Sequence, residues 1–143
     1  MLYSKILIAV DASEYSIKAA KMGFGLASQL KAKVALVAVI DESKAIGNPD
    51  ANITSEQSKL LLMKEAERSI DQLKEFYKGN DLAIYTPEGR PVEDIIKTAE
   101  VWEADLIVMG THGRSGFRHL FMGGVAENVV RHSKIPVMIV PSR

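Results

Sequence analysis

Apolar residues along this chain come in short dense runs. Between the runs they recur at every third or fourth position. The dense runs are Ile6–Val10, Val34–Ile40, residues 82–86, residues 105–110 and residues 135–141. They are rich in β-branched side chains and bounded by turn residues. Such runs read as strands buried on both faces, the mark of a parallel sheet.

The intervening stretches have helical spacing. Residues 13–30 place Ile17, Ala20, Phe24, Ala27 and Leu30 on one stripe, with Ser13 as the expected N-cap. Residues 54–78 predict a long amphipathic helix, striped by Leu62, Ala66, Ile70, Leu73 and Tyr77. In residues 90–102, Pro91 falls in the first turn, where helices accept it. Residues 123–133 predict a short last helix that turns Val125, Val129 and Val130 to a sheet. Strands and helices therefore alternate strictly. The expectation is one domain, residues 1–143, with a doubly wound, Rossmann-like α/β fold. It would hold a five-stranded parallel sheet with helices on both faces and right-handed crossovers. Residues 41–54, broken by Gly47 and Pro49, predict a mobile surface loop.

Composition narrows the partners. Eighteen basic residues balance eighteen acidic ones, so no global field draws the chain to nucleic acid or an anionic membrane. With no cysteine, disulfides and thiolate metal sites are excluded. No stretch approaches the roughly 18 apolar residues of a membrane span, and the N-terminal run is too short for a signal peptide. A cytoplasmic protein is expected.

The candidate chemistry lies in Val108–Val130, which holds five of the ten glycines. In a doubly wound sheet, ligands sit outside the carboxyl ends of the strands. Gly110 and Gly113 follow the fourth strand directly, and Gly123 and Gly124 open the last helix. A helix N-terminus offers unpaired N–H groups and partial positive charge, and glycine lets a phosphate approach closely. Residues 110–114, with the Arg114 cation, and residues 123–126 thus read as a two-part phosphate cradle. The same glycines would also serve tight turns and close helix–sheet packing. Neither GxxxxGK[ST] nor GxGxxG occurs, so a Walker A loop and a dinucleotide site are not indicated.

Other groups are less informative. His112, His119 and His132 lack metal-ligand spacing, so no protein metal site is expected. Asp11, by itself, reads as a helix cap or a structural acid. Asp41, Glu42 and the charged face within residues 64–78 read as solvated, the latter with i,i+4 pairs. Ser115 has no evident catalytic partner and GxSxG is absent. HIGH-type and SGGxDS-type motifs are absent too. No efficient nucleotidyl transferase is indicated.

The pattern Gly110-Thr-His-Gly113, nine residues, then Gly123 and a terminal apolar strand resembles the signature of the universal stress protein (UspA) family, ATP-binding subgroup. The resemblance covers essentially the whole chain, including "KILIAVDASEYS", "VAVID" and "GRPVEDIIKTAEVWEADLIVMGTHGRSG". It implies a stress-response sensor or regulator that binds ATP, with Mg²⁺ carried by the phosphates. It implies that Asp11 contacts the nucleoside, flanked by Ala9 and Val10, and that the Val39 backbone meets adenine. Met109, Gly110, Gly113, Arg114, Gly123, Gly124, Val125 and Ala126 would hold ribose and phosphates. One position departs from the pattern: Gly124 stands where the ATP-binding signature has Ser or Thr, which removes one hydroxyl donor. The alternative is a stress protein that binds no nucleotide and acts through dimerisation and protein contacts. The last strand, residues 136–141, would present a free edge to a second copy. Family resemblance implies a homodimer there.

Overall fold

The computed structural model describes residues 3–111 and 124–141. The chain runs β1 (Lys5–Ala9), α1 (Tyr15–Leu30), β2 (Lys33–Val37), β3 (Ile40–Asp41), α2 (Ser55–Lys74), β4 (Ala83–Tyr85), β5 (Glu88–Gly89), α3 (Pro91–Trp102), β6 (Leu106–Gly110), α4 (Gly124–His132) and β7 (Val137–Val140). Five strands form one parallel sheet in the order β4-β2-β1-β6-β7. The fold is α/β and doubly wound, as the hydrophobic pattern predicts.

The central strands are buried on both sides, and successive side chains supply two cores. Ile6, Ile8 and Val10 join Phe24 of α1 and Ile70 and Leu73 of α2 on one face. Leu7 and Ala9 join Ile95 and Ala99 of α3 and Ala126 and Val129 of α4 on the other. Close approach of α1 to β1 requires Gly23, because a Cβ there would lie 2.5 Å from Ile8 Cδ1.

Several local expectations are corrected. Ser13 does not cap α1: the helix begins after Glu14, without a side-chain cap. Leu30 closes α1 at the amino edge of the sheet and is 44% exposed. Tyr77 lies beyond the end of α2. In α4 the sheet-facing stripe is Ala126 and Val129, leaving Val125 and Val130 exposed on its flanks. The apolar run Val34–Ile40 is not one strand. The chain leaves the main sheet after Val37 and pairs again at β3, with β5, in a separate two-stranded sheet. Residues 41–54 are locally organised by two 3-10 turns, Glu42–Lys44 and Pro49–Ala51. Thr54 and Gln57 then form a reciprocal capping box that starts α2.

Among the described residues no helix is long and apolar enough to cross a membrane.

Candidate functional site

All five strands point the same way, so their carboxyl ends share one edge. The order of connections reverses between β1 and β6, because β2 and β4 lie to one side of β1 and β6 and β7 to the other. Loops on either side of such a reversal part and leave a crevice. A cavity of about 330 Å³ opens there.

Nine expected site residues lie among the described ones, and all nine line this cavity: Ala9, Val10, Asp11, Val39, Met109, Gly110, Gly124, Val125 and Ala126. The other three, Gly113, Arg114 and Gly123, fall outside the described residues, as do His112, Ser115 and His119.

Asp11 is held by the turn that leads into α1. Its Oδ1 accepts from the Ser13 N–H at 2.8 Å, from the Ser13 hydroxyl and from the Ser16 hydroxyl at 2.9 Å. Its own N–H donates to Ser16 Oγ at 2.7 Å. Asp11 thus organises the start of α1 and borders the cavity at once. The two readings open at the sequence level are compatible.

Val39 sits where the strand path is broken. The N–H groups of Ala38 and Ile40 donate sideways, to Tyr85 and Pro87 carbonyls at 3.0 and 2.8 Å. Alternation along extended backbone turns the Val39 N–H and C=O the other way, toward β1. β1 has already ended: the Val10 N–H, donating to Val37 O at 2.9 Å, is the last rung between them. Among the described residues neither backbone group of Val39 has a backbone partner. A donor and an acceptor of one residue therefore stand side by side at the cavity wall.

The opposite end is formed by Gly110 and by α4. The first turn of α4 brings N–H groups and the positive end of a helix dipole to the cavity. Among the described residues, a Cβ at Gly124 would meet no atom within 4 Å. His132 closes this helix, with Nδ1 2.9 Å from the Asn128 carbonyl oxygen.

Sequence reasoning missed one wall. Asp41 and Lys44, beside the first 3-10 turn, line the cavity, although Asp41 reads as a solvated acid. The Asp41 carboxylate accepts from the Ser43 N–H at 3.0 Å and hydroxyl at 2.7 Å. Leu62, Glu65, Ala66 and Ser69 of α2 complete this wall. Their i, i+3, i+4, i+7 spacing is visible in the sequence, but nothing there says that it faces a cavity. Nearby, Lys59 Nζ lies 2.6 Å from Glu88 Oε2 and ties α2 to β5. The hydrogen bond and charge of Glu88 hold the Lys59 amine above its usual pKa. The described cavity wall thus combines a free backbone donor–acceptor pair, a helix N-terminus and the charges of Asp11, Asp41, Glu65 and Lys44. Such a set suits a ligand with a hydrogen-bonding ring at one end and negative charge at the other.

Comparison with known proteins agrees with this architecture. The sequence pattern of the Universal stress protein family matches residues 2–141. Universal stress protein MJ0531 of Methanocaldococcus jannaschii is 36% identical over 141 residues, covering 97% of this chain and 82% of that protein. The solved structure of protein MJ0577, from the same organism, superposes with a TM-score of 0.84 at 30% identity, covering 99% of this chain and 97% of that one. A universal stress protein solved in complex with cAMP has the same fold, with a TM-score of 0.71, 23% identity and full coverage of both chains. The chain belongs to the universal stress protein family.

Proposed function

We propose that this protein binds an adenine nucleotide, ATP foremost, at the carboxyl edge of the sheet, and acts as a cytoplasmic stress-response sensor or regulator. The observation that carries this reading is the uncovered backbone pair of Val39, in the same cavity as Asp11 and the start of α4. An adjacent N–H and C=O complement the N1 and N6 positions of adenine. Asp11, beside Ala9 and Val10, is assigned to the ribose hydroxyls. Met109, Gly110, Gly124, Val125 and Ala126 are assigned to ribose and phosphates, with Gly113, Arg114 and Gly123 completing that set. Mg²⁺ would be carried by the phosphates and would neutralise part of their charge. A universal stress protein of this fold has been solved with cAMP, which makes an adenine nucleotide the first ligand to test. Nucleotide acts as a signal only by binding one conformation, or one partner-bound form, better than another.

Calorimetric titration with Mg-ATP tests the reading, after denaturation to detect co-purified nucleotide. Saturable binding that disappears in Asp11→Ala is expected. No binding at millimolar ATP, with no nucleotide released, would remove it.

A second reading has its own observations. Gly124 offers no hydroxyl, and among the described residues β7 pairs only with β6, at the edge of the sheet. A stress protein acting by protein contacts would use that edge. We place a homodimer contact at residues 136–141 under either reading, and light scattering at high protein concentration tests it.

A further inference from the structure

An amphipathic helix needs apolar residues at every third or fourth position, and a longer apolar run must turn some of them to water. α2 holds such a run, Leu60-Leu61-Leu62-Met63. Leu62 and Met63 are half-buried, Leu62 at the cavity wall. Leu60 and Leu61 are 54% and 58% exposed. They do not stand alone. Ile53, Gln57, Leu60, Leu61 and Lys64 line one shallow depression of the surface. The Ser58 hydroxyl donates to the Ile46 carbonyl at 2.8 Å and holds residue 46 against the same part of the helix, where Ile46 is 71% exposed. Single exposed apolar residues are ordinary, but a contiguous group rimmed by polar ones marks a contact surface. The rim is charged. Positions four apart lie one above the other on an α-helix, so Glu56, Leu60 and Lys64 form one ridge. Glu56 and Lys64 are exposed, and among the described residues neither forms an ion pair. Leu60 separates them, and Lys59, the other cation of this stretch, is taken by Glu88.

We propose that this ridge is a contact between two copies of the chain, with their α2 helices crossing antiparallel about a two-fold axis at Leu60. Turning the ridge end for end sets Glu56 opposite the partner's Lys64, and Lys64 opposite the partner's Glu56. A two-fold contact needs a patch that is complementary to itself, and an acid and a base at equal distances from a leucine supply that. An unrelated partner would impose no such symmetry on the charges. Ridges of this i±4 kind interdigitate in the commonest packing of two helices. Leu60 and Leu61 leave water at the centre of the contact, with Ile46 and Ile53 beside them. β7 lies at the edge of the sheet opposite β4, the strand into which α2 leads, so this contact and one at β7 use different surfaces. A stable dimer buries about 800 Å² per partner, more than a few exposed aliphatic side chains supply, so the association should be weak and concentration-dependent.

The test is sedimentation equilibrium up to millimolar protein, on the wild-type chain, on Glu56→Lys, on Lys64→Glu and on an equal mixture of the two variants. Either substitution alone sets like charges opposite each other at both ends of the contact, and should weaken one association step about tenfold. In the mixture, a chain with two lysines on the ridge meets a chain with two glutamates, and the step should return. Both positions are exposed, and recovery on mixing cannot come from the folding of either chain. A contact at β7 is untouched by these changes and contributes equally to every sample. A wild-type chain with no association step that responds to either substitution would overturn the proposal. So would a loss in the single variants that the mixture does not recover.

Discussion

The Asp105 carboxylate accepts the backbone N–H of Ser4 at 2.8 Å, joining residues 101 positions apart. The same Oδ2 takes the Ser4 hydroxyl at 3.0 Å and the Lys5 N–H at 2.9 Å. The clasp fixes the register of β1 against β6 at the amino edge of the sheet. Hydrogen bonds from Ser4, then from Lys5, hold the Asp105 carboxyl below the usual carboxylate pKa. A carboxyl depressed in the folded state stabilises the fold above its unfolded pKa of about 4, and this contribution is lost as pH falls through the folded value. Asp105→Asn should cost about 1 kcal/mol at neutral pH and should flatten the acid limb of stability. Urea unfolding at several pH values between neutrality and acid reads both effects. An acid limb as steep as that of wild type would contradict the clasp.

Lys31 and Glu103 both end their helices in the left-handed region, with φ of 56° and 61°. In each case the following alanine N–H reaches back to the fifth carbonyl before it: Ala32 to Ala27 at 2.9 Å, and Ala104 to Ala99 at 2.8 Å. Glycine adopts that conformation without strain. Lys31→Gly and Glu103→Gly should each stabilise the protein by about 0.5–1 kcal/mol. Thermal denaturation measures it, and a drop in Tm for both would be the contrary result.

Ser16 is buried, and its hydroxyl serves Asp11 twice, as donor to Oδ1 and as acceptor from the backbone N–H. Ser16→Ala leaves that N–H without its side-chain partner and should cost about 1–3 kcal/mol in denaturant unfolding. It should also weaken ATP binding, because Asp11 loses a group that orients it. Normal affinity in a destabilised Ser16→Ala protein would show that the turn positions α1 alone.

Gly124 opens α4, its φ is not positive, and no atom of the described residues lies within 4 Å of a Cβ placed there. The Cβ of a serine there displaces no atom of the described residues. Gly124→Ser restores the donor that the family pattern carries, and should tighten ATP binding about ten- to a hundredfold. Titration of the variant checks this. Unchanged affinity would place the phosphates away from the start of α4.

Most of the architecture was legible because burial writes itself into composition. Ile6–Val10 and Leu106–Met109 are continuous apolar runs because helices cover both of their faces. What composition cannot report is pairing. The run Val34–Ile40 reads as one strand, since Ala38 and Ile40 are as buried as Val37. Its break at Ala38–Val39 depends on where β1 ends, a fact written elsewhere in the chain. Glu65 illustrates a different limit. Helical spacing shows that it shares a stripe with Leu62 and Ala66. Only the path of residues 38–44 turns that stripe into a cavity wall. That Asp11, Gly110 and Gly124 border a cavity was readable because a doubly wound sheet opens at the carboxyl ends of its strands, where the sequence puts them.

The two edges of this sheet carry separate tasks. Asp105, Ser4 and the helix ends at Lys31 and Glu103 secure the amino edge, and none of them lines the cavity. Asp11, Val39, Glu65 and Gly124 occupy the carboxyl edge. A lineage built on this plan can exchange its ligand, or abandon it, by changing a few residues on one side while the other side preserves foldability. The signal to which such a molecule answers is therefore free to drift faster than its scaffold.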